Sequence, residues 1–354
     1  MANEKKMVVA ADFGNSEIRL AAAYKNDDGA LEILAQKTLK NSGEIRNGKV
    51  AEGDFYNDLT NIIKQIPVKQ NTKIDGYCFS SGTHSLRSEI RNIEIATAKI
   101  KEKERKNAAM QMILNSNIRS IIDVFEIEFD KENLLSKFLI VSTLNNVKQS
   151  FINVKPQLDK KNFYKADYMI APLVQAEVFM SEQQKKEGCL LIDFGADSTS
   201  VALYVKGAPH FCAVVPLGSG HITKDIAQKL DISLDDAEKI KKEQGLRDET
   251  ETVEKRLSET LDFIFQELEK QKLKEFVKEI LITGGGSQLK ELPDFLQQYC
   301  GTVNFVHFDK NILSEMNYSK TLLYAMLQQS DKNYEVLNKK RDWFGGLFVE
   351  ETPV

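Results

Sequence analysis

Short apolar runs broken by polar turns make up much of the chain, and two of them share one design. Met7-Val8-Val9-Ala10-Ala11 ends at Asp12-Phe13-Gly14-Asn15-Ser16, after which Ile18-Arg19-Leu20-Ala21-Ala22-Ala23-Tyr24 resumes the apolar pattern. This predicts strand, tight turn, strand. The figure recurs 181 residues later: Cys189-Leu190-Leu191-Ile192, then Asp193-Phe194-Gly195-Ala196-Asp197-Ser198-Thr199, then Val201-Ala202-Leu203-Tyr204. It is an internal repeat at domain scale. A third strand pattern, Glu279 to Thr283, enters Gly284-Gly285-Gly286 and Ser287, followed by a helix pattern with Leu289, Leu292, Phe295 and Leu296 on one face. Residues 84–165 predict a strand (Ile93 to Thr97), a helix (101–115), strands (Ile121 to Phe129, Lys137 to Thr143) and a helix (145–158). Val253, Leu257, Leu261, Ile264, Phe265 and Leu268 mark one face of a core-facing helix from Glu251 to Lys272, and a last helix is expected over Thr321 to Gln329.

Each repeat sets a carboxylate at the end of a buried strand with a glycine behind it, where the backbone turns sharply and N–H groups point outward. One such turn is also what an ordinary hairpin looks like; two copies, followed by a glycine run, are far more specific. Two turns face to face would grip the β- and γ-phosphates of a nucleotide, with Asp12 and Asp193 holding Mg²⁺ through water. Three glycines after a strand let a flat ring or a ribose-phosphate lie against the backbone. Pro216-Leu217-Gly218-Ser219-Gly220 ends a strand and opens a helix, so free N–H groups are expected to face the same cleft. Ser233 and Asp236 form an expected helix cap, and Gly245 closes that helix.

Composition narrows the classes. With 354 residues, 48 Lys+Arg against 52 Asp+Glu and 42% apolar residues, there is material for two cores and no basic excess that would mark a nucleic-acid binder. The charges of Lys99 to Lys106 are of mixed sign, as on a solvated helix face. No apolar run approaches the ~18 residues of a membrane span, and Met1 to Lys6 lacks a signal-peptide core, so a cytosolic chain is expected. Cys78, Cys189, Cys212 and Cys300 have neither disulfide nor metal spacing and are read as reduced core residues.

The ordered set of Asp-Phe-Gly, Asp-Phe-Gly and Gly-Gly-Gly resembles the phosphate-1, phosphate-2 and adenosine motifs of the actin/Hsp70/sugar-kinase ATPase superfamily. Within it the chain resembles the FtsA family of actin-like bacterial cell-division proteins. Ser42-Gly43-Glu44-Ile45-Arg46-Asn47-Gly48-Lys49-Val50 is similar to an element that follows the first hairpin in that family. Ala166-Asp167-Tyr168 to Pro172-Leu173, with Gln175-Ala176 and Gly188, is similar to its connecting helix. Val215 to Ala227, with Asp236 to Lys241 and Gly245, is similar to the stretch after phosphate 2. The resemblance implies an α/β, actin-like (ribonuclease H-like) duplicated two-lobed fold with an α+β insertion of the 1C type and a reduced or missing 2B subdomain. Only 34 positions separate Gly245 from Glu279, too few for the 2B strands.

The implied domains are 1–83 with 166–187 and 318–330 (1A), 84–165 (1C-type, or alternatively a lid over the nucleotide), 188–317 (2A with reduced 2B), a linker at 331–338 and a terminal segment at 339–354. The implied cofactors are ATP and Mg. The nucleotide set is Asp12, Gly14, Asn15, Ser16, Asp193, Gly195, Ser198, Thr199, Gly218, Gly284, Gly285 and Gly286. Gln175 would orient a hydrolytic water, with its neighbour Glu177 able to assist, and Glu254, Lys255 and Arg256 lie near where relatives contact adenosine. The resemblance also implies a scaffold that tethers FtsZ filaments to the cytoplasmic membrane at the division site, self-associates into filaments and recruits later division proteins. Two rivals stand beside it: a degenerate or nucleotide-responsive adaptor of another envelope machine, similar to PilM, and a sugar-kinase-class enzyme, for which no set of sugar-binding polar residues is found.

Phosphate 2 departs from the family's Gly-Gly-Gly-Thr-Thr-Asp. Ala196 and Asp197 replace two glycines, which stiffens the turn and adds a charge that either repels the transferring phosphoryl group or binds a metal. At most a weak ATPase is expected. After a polar linker the chain ends in Lys339-Lys340-Arg341-Asp342-Trp343-Phe344-Gly345-Gly346-Leu347-Phe348-Val349, where Trp343, Phe344, Leu347 and Phe348 beside three cations have the makings of an interfacial membrane anchor. The alternative is a tail that docks on its own domain or on a partner.

Overall fold

The computed structural model describes residues 6–14, 17–25, 30–41, 45–46, 49–50, 74–81, 84–95, 99–113, 118–149, 166–247, 251–301, 304–307 and 321–330. The first hairpin forms where the apolar runs place it: β1 (Lys6–Phe13) pairs with β2 (Glu17–Lys25), and β3 (Leu31–Lys40) extends the meander. A two-residue ribbon, β4 (Ile45–Arg46) with β5 (Lys49–Val50), follows. On the other side of β1, β6 (Ile74–Ser81) pairs in parallel, and the short strand β10 (Ala166–Tyr168) adds to β6, giving the order β3-β2-β1-β6-β10. The second sheet repeats this plan. There β11 (Cys189–Phe194), β12 (Thr199–Val205) and β13 (Ala208–Val215) form the meander, and β14 (Glu279–Thr283) and β15 (Asn304–His307) add in parallel, giving β13-β12-β11-β14-β15. The repeat read in the turns is therefore a repeat of whole sheets.

Strand periodicity sorts the second sheet's side chains onto two buried faces. Leu190, Ile192, Phe194, Val201 and Leu203 meet α4 (Ser219–Leu230), α6 (Thr252–Lys270) and α7 (Leu292–Cys300) through Ile226, Leu257, Leu261, Ile264 and Leu296. Cys189, Leu191, Ala202, Tyr204 and Cys212 face the opposite way, against Leu173 and Ala176 of α2 (Ala171–Phe179), which the short α3 (Glu182–Glu187) follows. Each such side chain contributes roughly 1.5–3 kcal/mol when fully buried. The first sheet's Val8, Ala10, Ala21, Ala23 and Cys78 pack under the helix 321–330 through Leu323, Met326 and Leu327. Cys78, Cys189 and Cys212 are buried and Cys300 half-buried, all as free thiols.

Residues 87–144 form a small α+β unit with its own core. β7 (Arg87–Glu94), β8 (Arg119–Asp130) and β9 (Leu135–Leu144) lie in the order β7-β9-β8, covered by α1 (Glu102–Met112). The unbroken apolar run Phe138-Leu139-Ile140-Val141 is buried on both faces. Phe138 and Ile140 join Ile93, Ala109 and Val124, whereas Leu139 and Val141 join the second sheet's core. The unit packs on β13, and the Cys212 N–H donates to Ser88 Oγ at 2.9 Å. The strand expected at Ile93 to Thr97 starts earlier, at Arg87. It is an edge strand whose exposed face carries Arg87, Glu89 and Arg91, and these charges hide the alternation. Arg105 also departs from the solvated face expected of α1: its fork bonds Glu126 (Nε 2.6 Å, Nη2 2.5 Å) and lies over the Phe129 ring.

The helix expected over 145–158 is described only to 149. Ser233 caps α5 (Leu234–Gln244), accepting from the Asp236 N–H at 3.1 Å, and Gly245 ends it at φ +61°. Among the described residues between Gly245 and Glu279 there are α6 and two 3₁₀ turns but no strand, as a reduced 2B requires. After Gly284 the chain makes a 3₁₀ turn at Gly285–Gln288, and α7 begins only at Leu292, where Pro293 sets the first turn. Asn15, Ser16, the linker 331–338 and Trp343, Phe344, Leu347 and Phe348 lie outside the described residues.

Candidate functional site

The two turns have the same local geometry. The Gly14 N–H bonds Glu17 O at 3.0 Å and the Gly195 N–H bonds Ser198 O at 3.0 Å, and at each glycine a Cβ would lie 2.7 Å from that same oxygen. Closing the turns this way fixes the register of both hairpins, so Asp12 stands opposite Arg19 and Asp193 opposite Ser200.

The segment entering α4 differs from expectation. Its N–H groups are not free: Gly218 N–H bonds His221 Nδ1 at 3.2 Å, Ser219 N–H bonds Gly195 O at 2.9 Å, and Gly220 N–H bonds Ala196 O at 2.7 Å. A strand-to-helix turn leaves donors without a helical partner; here the neighbouring phosphate-2 turn and a side chain take them. A Cβ on Gly218 would lie 2.5 Å from Ala196 O, so this glycine admits the turn itself. Thr199 is buried and donates its hydroxyl to Leu217 O at 2.7 Å, bracing the same crossing.

The glycine run divides its labour. Gly284 has φ +85°, and a Cβ there would meet Asp193 Oδ1 at 2.2 Å and Phe194 O at 2.6 Å. A Cβ on Gly286 would lie 2.8 Å from Phe194 Cβ, whereas one on Gly285 would meet open space. Ser287 Oγ donates to Gly284 O at 2.7 Å and holds the turn.

The acidic residues meet where the sheets approach. Asp12, 5% exposed, accepts from Arg19 Nη1 at 3.1 Å, and Arg19 also bonds Glu17 through Nε (3.2 Å) and Nη2 (3.0 Å). Burial raises the Asp12 carboxyl above its ordinary value against the pull of Arg19. Asp193 accepts from Gln175 Nε2 at 3.0 Å. Burial pushes its carboxyl up to about 6, and the Asp12 charge adds to the rise, so the two carboxylates sense one another. Gln175 is fully buried, and Thr321 Oγ1, itself bonded by Thr283 at 3.2 Å, lies 3.4 Å from its amide nitrogen. Its Oε1 has no partner, a polar atom left open for a hydrogen-bond donor in the cleft.

Glu177 does not share this site. Two residues along α2 is about 200° of turn, and its carboxylate instead pairs with Lys185 (3.0 Å) and accepts from the Tyr204 hydroxyl (2.8 Å). Arg256 is committed to Asp225 and to Glu259 (2.6 Å). Asp197 lies within electrostatic reach of His84, whose Nε2 is buried without a partner.

Three participants were not singled out from the sequence. In the sequence Arg19 reads as one polar residue in an apolar run. Glu238 and Lys241 stand one turn apart on α5; the Lys241 amine, buried and pushed below its usual value by that burial, bonds Ser219 O (3.1 Å), Thr223 Oγ1 (2.9 Å) and Glu238 (2.7 Å). A lysine at a core-facing position of an otherwise exposed helix was the available signal.

The nucleotide fits these residues: glycine-lined space at Gly285 and a buried unpartnered acceptor are present. The divalent metal does not fit as expected. One of the two carboxylates expected to hold it, Asp12, is instead paired with the Arg19 guanidinium at 3.1 Å.

Residues 190–322 match the family model described as Cell division protein FtsA. Cell division protein FtsA of Borreliella burgdorferi is 25% identical over 260 residues, 68% of this chain and 63% of that protein, so the chain spans less than two thirds of that relative's length. Among solved structures, the PilM-PilN type IV pilus biogenesis complex superposes with a TM-score of 0.69 at 16% identity, covering 91% of this chain and 98% of that one. MreB 5 of Spiroplasma citri bound to AMPPNP superposes with a TM-score of 0.55 at 11% identity, covering 95% and 99%. The fold is actin-like.

Proposed function

We propose that this chain, an FtsA-like actin homologue, is an ATP-binding cell-division scaffold that links FtsZ filaments to the cytoplasmic membrane and recruits later division proteins. What supports it most is the twice-repeated hairpin, whose two carboxylates sense each other beside the unpartnered Oε1 of Gln175. Gly14, Gly195 and Ser198 of the turns would receive the phosphates, a role also assigned to Asn15 and Ser16, which lie outside the described residues. Gly285 offers open space for the adenosine side, while Gly284, Gly286, Gly218 and Thr199 hold the backbone that frames it. ATP would supply the conformational signal; Gln175 would orient a water. Ala196 and Asp197 make turnover slow, so the scaffold persists in its ATP state.

Residues 84–165 serve as the 1C-type contact unit for neighbouring copies and later partners, and 339–354 as the membrane anchor. No helix among the described residues is long and apolar enough to cross a membrane; what supports the terminal segment as the anchor is Trp343, Phe344, Leu347 and Phe348 beside Lys339, Lys340 and Arg341. In co-sedimentation, the full chain is expected to carry FtsZ to anionic liposomes, and truncation after Asn338, or Trp343→Glu with Phe348→Glu, to release both. A truncated protein that still floats with vesicles places the anchor elsewhere. Vesicle binding without FtsZ favours the second reading, an adaptor of another envelope machine, for which the altered phosphate-2 turn is the supporting observation. Single-turnover hydrolysis is expected to accelerate in Ala196→Gly with Asp197→Gly; brisk parental turnover lost in that variant would make Asp197 catalytic.

A further inference from the structure

Asp12 and Asp193 are equivalent positions of one repeated hairpin, yet their cross-strand partners differ: Arg19 in the first and Ser200 in the second. The repeat therefore brings one cation into the cleft. Arg19 is held as a fork by two carboxylates, Asp12 at 3.1 Å and Glu17 at 3.0 and 3.2 Å, and its charge reaches Asp193 as well. A guanidinium in that grip is always charged and pre-organised, and of its five N–H donors three are spent on these bonds. Two remain for phosphate oxygens. A divalent ion seated through Asp12 would have to displace this cation or share the carboxylate with it, and like charges a few ångströms apart repel strongly where water is scarce. Glu17, whose side chain is 44% exposed, shares the guanidinium with Asp12, and water screens part of its charge.

We propose that Arg19 is the resident cation of the cleft, standing where a Mg²⁺ would otherwise sit against Asp12, so that nucleotide binds this chain without a divalent metal. The proposal rests on the cleft being a nucleotide site, and its test separates the two. Mn²⁺, a paramagnetic probe for the Mg²⁺ position, is titrated into the full chain without nucleotide and followed by electron paramagnetic resonance. ATP affinity is measured by calorimetry in Mg²⁺ and in EDTA.

The parent is expected to show no Mn²⁺ site that Asp12→Asn removes, and ATP affinities in the two buffers within about fivefold of each other. Arg19→Ser, which installs the residue of the second hairpin, is expected to gain a Mn²⁺ site that Asp12→Asn abolishes and to bind ATP more than about tenfold better with Mg²⁺ than without. Arg19→Lys keeps the charge and is expected to behave as the parent. A parental Mn²⁺ site lost in Asp12→Asn, or a parental loss of ATP affinity beyond about fivefold in EDTA, overturns the proposal, and both readouts need no altered protein to fold other than the conservative Asn variant. If ATP binds in neither buffer, the nucleotide reading fails while the Mn²⁺ titration still decides the role of Arg19.

Discussion

Replacing Gly284 by alanine should damage the fold and the cleft together, whereas the same change at Gly285 should leave the fold alone. At Gly284 the backbone has φ +85° and ψ 169°, a region essentially confined to glycine that costs an L-residue roughly 1–3 kcal/mol. The new Cβ would also lie 2.2 Å from Asp193 Oδ1 and 2.6 Å from Phe194 O. The carboxylate can rotate away, at the expense of its bond from Gln175; the carbonyl belongs to β11 and can move only with the strand. Overpacking of this kind adds about 1–3 kcal/mol, so a total of roughly 2–6 kcal/mol is expected. Against a stability of about 5–15 kcal/mol that is a large share, and in a domain of 150–250 residues each kcal/mol lowers Tm by about 2–4 °C. At Gly285 no atom lies within 4 Å of the added Cβ, and a change within about 0.5 kcal/mol is expected. Urea midpoints by circular dichroism, with ATP affinity on the same samples, compare the two: Gly284→Ala should lose stability and binding, and Gly285→Val should keep stability and lose binding. If Gly284→Ala unfolds at the parental midpoint, or the Gly285 variants unfold as early as it does, the three glycines do not divide the work as described.

Asp193 gives a pH dependence of stated sign. Its carboxyl titrates near 6 in the folded chain against an ordinary 3.8, so between those values the folded state binds more protons than the unfolded state, and stability from this group falls as pH rises through 6. Melting temperatures of Asp193→Asn and the parent should therefore diverge in favour of the variant from about pH 4 to about pH 7 and run parallel above that; a parent that gains on the variant over this range contradicts the assignment. Arg105→Ala should cost roughly 3–5 kcal/mol, because it strands Glu126, whose side chain is only 8% exposed, without its cation. Arg105→Ala with Glu126→Gln should recover part of that loss in urea unfolding, and equal midpoints for single and double variants would show that the stranded charge is not the cause.

The sheets were legible because their apolar runs and turns are local. A five-residue run ending in Asp-Phe-Gly needs nothing from the rest of the chain to become a strand and a turn, and the same holds for α6 with its apolar face. The cleft was legible in its residue types and less so in its connections. Gln175 reaches Asp193 only because α2 packs across β11, and Thr321 arrives from 146 positions away. The N–H groups at Gly218 to Gly220 read as open because a strand-to-helix turn considered alone has no partner for them; for Ser219 and Gly220 the partner is another turn, about twenty residues back in the chain, and for Gly218 it is the His221 ring. Arg19 is the instructive omission. With the turn closed between Gly14 and Glu17, the pairing of Asp12 with Arg19 follows from counting along the hairpin, and a cation directly across from a buried carboxylate was there to be read.

The small α+β unit is spliced into the chain between elements of the first sheet, yet its apolar side belongs to the second. Leu139 and Val141 share a core with Cys189, Leu191 and Cys212, and the Cys212 N–H is tied to Ser88. Covalent attachment and mechanical attachment thus point to different halves of the molecule. Any hinging of the halves about the cleft would carry the unit with the half on which it packs, so that a rotation at the cleft floor would be levered into a displacement of the unit's outer surface, as a rudder blade moves when its post is turned.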